Sequence, residues 1–210
     1  DSAMLQRFLL TAFVGLLAVP VAAQAPDGWM VRVDRSQNAQ DPDDTENLSF
    51  MTMGAGFHVT GGPAGTFWND ANTGSGDFTL SGNFRLMKPS GHTNYYGLIF
   101  GGSNLGAANQ TYIYFLVGQN GNYLVKHRVG DEVHDIQAST AHAAVNQPGA
   151  DGQSTNELEV RVAGNTISYI VNGQVVQTTP KTGMSSMTDG LAGIRINHQL
   201  DVHVDNFEIQ

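Results

Sequence analysis

The chain has 210 residues, with 10 Lys plus Arg against 19 Asp plus Glu, a net charge of −9, and no cysteine. The missing thiols exclude a disulfide scaffold and a thiolate zinc centre. The acidic balance argues against a general nucleic-acid binder, which needs a basic face to displace counterions from phosphates.

Residues 5–23 read LQRFLLTAFVGLLAVPVAA: Arg7, then an apolar run from Phe8 to Val19, a break at Pro20, and small residues at Val21, Ala22 and Ala23. This is the order of a secretory signal, with cleavage expected after Ala23 or Ala25. The run is shorter than the ~20 residues of a spanning helix. The expectation is therefore a secreted or periplasmic protein without a transmembrane anchor in its mature form. Residues 1–25 are assigned to the signal and an N-terminal remnant, and residues 26–210 to a single domain. Residues 34–49 are acidic (Asp41, Asp43, Asp44, Glu46) and are expected to form a solvated loop. They resemble an EF-hand only faintly, because Glu46 stands where that loop needs glycine.

From there the apolar residues recur every second position, the period of a half-buried strand. Phe78, Leu80, Gly82, Phe84 and Leu86 form one such set; Leu98 and Phe100 form another. Residues 112–117 (YIYFLV) read as a strand buried on both faces or aromatic on one. Further sets are Tyr123/Val125/His127, Leu158/Val160/Val162, Ile167/Tyr169/Val171, Ala192/Ile194/Ile196 and Val202/Val204. Asn120-Gly121-Asn122, Gly164-Asn165 and Asn172-Gly173 supply turns, the last suited to a type I′ hairpin that needs positive φ twice. Residues 138–150 offer room for one short helical turn before Pro148. The apolar set changes parity between Val204 and Phe207, which predicts a β-bulge near Asp205-Asn206. Strands at this spacing give an all-β antiparallel sandwich or barrel.

The C-terminal half runs NELEVRVAGNTISYIVNGQVV and then DGLAGIRINHQLDVHVDNFEI; the centre carries YYGLIFGGSNL, YIYFLV and YLVKHRVG. This order resembles the concanavalin A-like lectin/glucanase jelly rolls. More narrowly, it is similar to a bacterial secreted domain-of-unknown-function family labelled 3-keto-disaccharide hydrolase-like, related to laminin-G-type sandwiches. The resemblance spans roughly residues 50–210. It implies two curved antiparallel sheets in a jelly roll, a concave face that often meets carbohydrate, in some members a calcium ion near the rim, and glycoside processing.

Glycoside hydrolysis normally uses two carboxyls flanking the scissile bond, about 5–9.5 Å apart. The Glu-x-Asp-x-x-Glu strand motif of jelly-roll glucanases is absent, and Glu157-x-Glu159 reads as the polar side of a strand whose Leu158 and Val160 face inward. His198, Asp201, His203 and Asp205 are the densest group of metal-ligand types, and Asp201, His203 and Asp205 share one strand face. Sugar recognition needs rings against C–H faces and planar polar groups for hydroxyls; Trp68, His92, Tyr95, Tyr96, Tyr112, Tyr114, Lys126, Arg195 and His198 are candidates. Parity places Tyr112, Tyr114, Lys126, Arg128, Arg195 and Asn197 opposite the core-facing residues of their strands. Dinucleotide, P-loop, zinc-protease and nucleophile-elbow motifs are all missing. Three readings stay open: a carbohydrate- or glycoside-binding protein, a hydrolase or lyase on 3-keto-glycosides with a base such as His92 beside Lys126, Arg195 and His198, and an extracellular assembly protein. No cofactor beyond a calcium ion is called for, and the oligomeric state is open.

Overall fold

The computed structural model describes residues 25–34 and 48–210; the expected signal segment up to residue 24 and most of the acidic segment lie outside them. The strands are β1 (Trp29–Asp34), β2 (Ser49–Met53), β3 (Gly56–Thr60), β4 (Ala64–Gly74), β5 (Phe78–Lys88), β6 (Tyr95–Ser103), β7 (Thr111–Gly118) and β8 (Asn122–Val129). They continue with β9 (Glu132–Ala141), β10 (Ser154–Ala163), β11 (Thr166–Val171), β12 (Gln174–Pro180), β13 (Gly190–Ile196) and β14 (Asp201–Ile209). A 3-10 turn spans Gly183–Ser185, and among the described residues no helix is long and apolar enough to cross a membrane.

Two seven-stranded sheets result. The first has the order β1-β4-β13-β6-β7-β8-β9, the second β12-β11-β10-β5-β14-β3-β2. Neighbouring strands pair antiparallel, and the sheets stack as the expected jelly-roll sandwich. The alternating sets read from the sequence form the interior: Leu80, Phe84 and Leu86 from β5, Leu158 and Val160 from β10 and Val202 and Val204 from β14 meet Leu98, Ile113, Phe115 and Ile194 of the first sheet. Burying such side chains removes apolar area from water, worth about 25 cal/mol per Å².

The turns follow the local chemistry. Asn172 and Gly173 adopt φ of 49° and 77°, as a type I′ turn demands, between paired Val171 and Gln174. Register shifts between Asp205 and Glu208 on β14, and Asn206 has φ of 51°, so the parity change does mark a bulge. The helical turn expected in 138–150 is reduced to one hydrogen-bonded turn, where Val145 N–H donates to His142 C=O at 3.0 Å; residues 138–141 instead finish β9. Residue 34 is not loop either: it closes β1, opposite Ala64. That correction has a cause, since Trp29, Val31 and Val33 alternate with Met30, Arg32 and Asp34 on a short edge strand.

Phe115 is fully buried, with ring centroids of Tyr169 and Tyr123 at 5.3 and 6.4 Å. Phe115→Ala is expected to cost about 3–5 kcal/mol of stability by emptying that space. Urea denaturation read by tyrosine and tryptophan fluorescence measures it; a loss below 1 kcal/mol is incompatible with this packing.

Candidate functional site

A strand face turned away from a sandwich core is normally polar, and the second sheet obeys this. Ser81, Asn83, Arg85, Glu157 and Glu159 alternate with its buried residues. Glu159 pairs with Arg161 at 2.5 Å, so Glu157 and Glu159 are the polar side of β10, as expected.

The first sheet breaks the pattern. Its outer face carries a second apolar cluster of Trp68 (β4), Ile99 (β6), Tyr112, Tyr114 and Leu116 (β7) and Leu124 (β8), joined by Leu105, with Tyr95 packed against it. These residues alternate with core residues on every strand, so they line the side away from the second sheet. Four of the expected site residues, Trp68, Tyr95, Tyr112 and Tyr114, therefore share one surface, and Arg195 and Lys126 join them. Tyr96 does not: it lies in the core, fully buried, and accepts a hydrogen bond from Asn156 at 3.2 Å.

Arg195 organises the floor of this face. Its Nη1 donates to Asp34 Oδ2 at 2.6 Å, Thr66 Oγ1 at 2.9 Å and Tyr112 Oη at 3.0 Å, and its guanidinium lies 5.8 Å from the Tyr114 ring centroid. Two more guanidinium groups converge on the same carboxylate. Arg32 Nε reaches Asp34 Oδ1 at 3.0 Å and Arg128 Nη1 reaches Oδ2 at 3.3 Å. Gln110, with its Oε1 turned to the cations, accepts from Arg128 and Arg32 at 3.1–3.2 Å. Burial by itself raises the Asp34 pKa, but Arg195, then Arg128 and Arg32, outweigh it and hold the carboxyl below its usual 3.8. Burial by itself would lower the Arg195 pKa; Tyr112 and Asp34 more than reverse this, so the net shift is upward and the cation persists. Burial pushes the Tyr114 phenol up to about 12, and it stays a neutral hydroxyl at physiological pH.

The 104–110 connection closes over part of this floor. Leu105 is buried in the cluster, Ala107 C=O accepts from Arg32 Nη1 at 2.7 Å, and a Cβ added at Gly106 would lie 3.8 Å from the Trp68 indole. Trp68, Tyr112, Tyr114 and Arg195 are consequently only 5 %, 1 %, 7 % and 8 % exposed. They support the face rather than form its accessible surface, which corrects their expected role as direct contacts. Water reaches the β8–β9 side. There Lys126 Nζ lies 3.1 Å from Asp135, and Tyr95 Oη shares a hydrogen bond with Ser139 at 2.8 Å. His92 and His198 lie off the sheet, on the 89–94 and 197–200 connections at the end where β6 begins. Asn94 Nδ2 is 3.1 Å from His92 Nε2, and Asn197 N–H donates to Tyr95 C=O at 2.9 Å. Sequence reasoning missed Arg32, Asp34, Thr66 and Gln110, while strand parity had already put Arg128 on this face with Lys126. The missed residues arrive from separate elements; parity hints at Arg32, Asp34 and Thr66, and Gln110, on the 104–110 connection, carries no such signal.

Asp201, His203 and Asp205 do share the outer face of β14, on the second sheet. His203 Nε2 bonds Asp205 Oδ1 at 3.0 Å, and Asp201 Oδ1 lies 2.8 Å from Nε2 of His58, the cross-strand partner of His203. Among the described residues no three His, Asp or Glu side chains are grouped to hold a metal ion, so the expected ligand set does not assemble. A cavity of about 320 Å³ opens beside them, lined by Met53, His58, Arg85, Met87, His203 and Asp205 among others.

No protein-family model and no curated protein matches the sequence. Solved structures do match in fold. The carbohydrate-binding module CBM66 from Bacillus subtilis superposes with TM-score 0.62 at 12 % identity, over 87 % of this chain and 95 % of that one. A Bacillus subtilis protein of unknown function with a galectin-like fold gives 0.61 at 11 %, over 87 % and 88 %. A Bacteroides ovatus GH16 protein of a mixed-linkage glucan locus, in complex with its G4G4G3G product, gives 0.57 at 8 %, over 87 % and 94 %.

Asp34→Asn removes the one anion shared by three guanidinium groups, and a loss of about 3–5 kcal/mol is expected. Because the folded pKa lies below the unfolded one, this contribution is complete above about pH 3.8 and is lost as pH falls through the lower folded value. Thermal midpoints from pH 2 to 7 should therefore fall less steeply on the acid side for Asp34→Asn; parallel curves contradict the assignment. What the superpositions establish for the chain is its architecture: a concanavalin A-like jelly-roll sandwich of two antiparallel sheets.

Proposed function

We propose that the chain is an exported carbohydrate- or glycoside-binding protein whose ligand lies on the outer face of the first sheet. The observation that carries this reading is the aromatic layer on a face that packing does not require to be apolar. Tyr95 is its open ring, backed by the buried Tyr114, Leu124, Trp68 and Tyr112, and it sits beside Lys126, Asp135 and Ser139. Rings of this kind stack on the C–H faces of a pyranose or furanose, and adjacent planar and hydroxyl groups take the sugar hydroxyls. The fold neighbours support the reading, since one is a carbohydrate-binding module and another holds a glucan product.

The rigid floor gives the mechanism. Arg195, fixed by Asp34, Thr66 and Tyr112, cannot swing to follow a ligand; it holds the tyrosines in place and adds positive potential under them. Binding then orders few side chains, which limits the entropic cost of association. A catalytic version of the same site, acting on 3-keto-glycosides, would need a free base. The carboxylates of this face are engaged, Asp34 by three arginines and Asp135 by Lys126.

Glycan-array screening of the purified chain, followed by calorimetry on the best ligand, tests the proposal. Tyr95→Ala and Lys126→Ala should each weaken binding by about tenfold or more, while Glu157→Ala on the opposite sheet leaves it unchanged. No ligand among neutral, acidic and 3-keto-modified oligosaccharides, or equal losses from both faces, rejects it. Export is tested separately: N-terminal sequencing of the protein recovered outside the cytoplasm should begin at Gln24 or Pro26.

A further inference from the structure

The 104–110 connection joins β6 to β7, and the strand pair Ser103–Thr111 brackets it. Within 104–109 every residue is exposed except Leu105, which is 1 % exposed and belongs to the cluster of Trp68, Ile99, Tyr112 and Tyr114. The Cβ position of the next residue, Gly106, stands 3.8 Å from the indole, so the backbone passes within contact distance of that ring. A single leucine thus stands over the aromatic floor, carried by neighbours (Gly106, Ala107 and Ala108) with little side chain of their own.

Little holds this stretch down. Ala107 N–H donates to Asn104 C=O at 2.8 Å and Gln110 N–H to Ala107 C=O at 3.2 Å; both bonds are internal and move with it. Among the described residues, it is fastened to the sheet by the Leu105 side chain and by the 2.7 Å bond from Arg32 Nη1 to Ala107 C=O, which water reaches. Its C-terminal end is anchored, because Gln110 is fully buried and its C=O accepts from Gly130 N–H at 2.7 Å. Asn104, at φ of 52°, and Gly106 supply the pivots. A segment with one buried apolar side chain and a water-exposed hydrogen bond opens at far lower free energy than the sheets beneath it.

The surface under Leu105 is an aromatic one: the Tyr112 and Tyr114 rings lie 5.7 Å apart in the same cluster as the indole. Left bare, it would be an apolar patch in water, and covering it keeps the free protein soluble. We propose that 104–109 is a lid, and that Leu105 holds in the free protein the subsite where a sugar ring stacks on Trp68 in the bound one. This rests on the carbohydrate reading of the face and extends it. Trp68 is level with Ile99 across β13, four residues along β6 from Tyr95. Strand geometry then separates Trp68 from the open Tyr95 ring by roughly 16 Å. An oligosaccharide longer than a disaccharide is needed to engage both. Its apparent affinity is lowered by the fraction of molecules that are closed, and loosening the lid restores it.

Leu105→Ser removes the plug and leaves the backbone as it is. In a Trp29→Phe background Trp68 is the only tryptophan, and adding Leu105→Ser should raise its quenching by acrylamide severalfold. Fluorine NMR of the chain labelled with fluorotryptophan reads the same exposure without altering Trp29. On an array of neutral, acidic and 3-keto-modified oligosaccharides, Leu105→Ser should bind the ligands longer than a disaccharide about tenfold or more tightly than the parent. Adding Trp68→Ala should cancel that gain, with far-UV circular dichroism of each variant matching the parent. Unchanged exposure of Trp68, equal affinities of parent and Leu105→Ser, or a gain that survives Trp68→Ala overturns the lid and leaves sugar binding standing. No ligand for either protein rejects the carbohydrate reading, and the subsite with it.

Discussion

One charge interaction ties the first sheet together: the Arg195 guanidinium against Asp34. A permanently charged side chain in the middle of a sheet can stay out of bulk water only with an anion and well-placed acceptors beside it. Asp34 comes from edge strand β1, Thr66 from β4, Tyr112 from β7 and Arg195 itself from β13. Four strands that are neighbours or near neighbours in space, but far apart in the chain, are thereby held in register on the side where the interior core cannot reach. Arg32 and Arg128 extend the same hold to the 104–110 connection and to β8.

The two sheets use their outer faces differently. The first sheet is apolar on both sides, so its interior strand β7 is buried from Tyr112 to Gly118. The second is apolar inward and polar outward along β5 and β10, with a local departure around His58 and His203. A sandwich needs only one apolar face per sheet to close its core. The additional aromatic layer on the first sheet is thus surplus to folding, and surplus chemistry of this kind is where function is to be sought.

How much of this was legible depends on whether a strand must hide one face. β5, β8, β10, β11, β13 and β14 alternate because they lie inside a sheet over the core, and their periodicity showed in the sequence; β7 showed as a continuous apolar run. Even the bulge on β14 announced itself, as a shift between Val204 and Phe207. β9 and β12 did not, because an edge strand pairs on one side only and carries mostly exposed residues, and β4 hid behind its polar stretch from Asn69 to Thr73. The shared face of Tyr112, Tyr114, Lys126 and Arg195 followed from parity alone. Its covering by 104–110, and the neutralisation of Arg195 by a residue 161 positions away, depend on tertiary contacts that no local pattern encodes. The pairing of His58 with His203 was hidden for the same reason: parity gives the face of a strand, and only register gives its neighbour across the sheet.

Edge strand β9 carries a row of backbone groups with no partner strand beyond them among the described residues, together with Glu132 and Asp135. Unpaired edges invite another molecule to add a strand, and ionised side chains along them repel that approach. Copies of this sandwich at high local concentration would accordingly stay individual and detachable instead of zipping sheet to sheet.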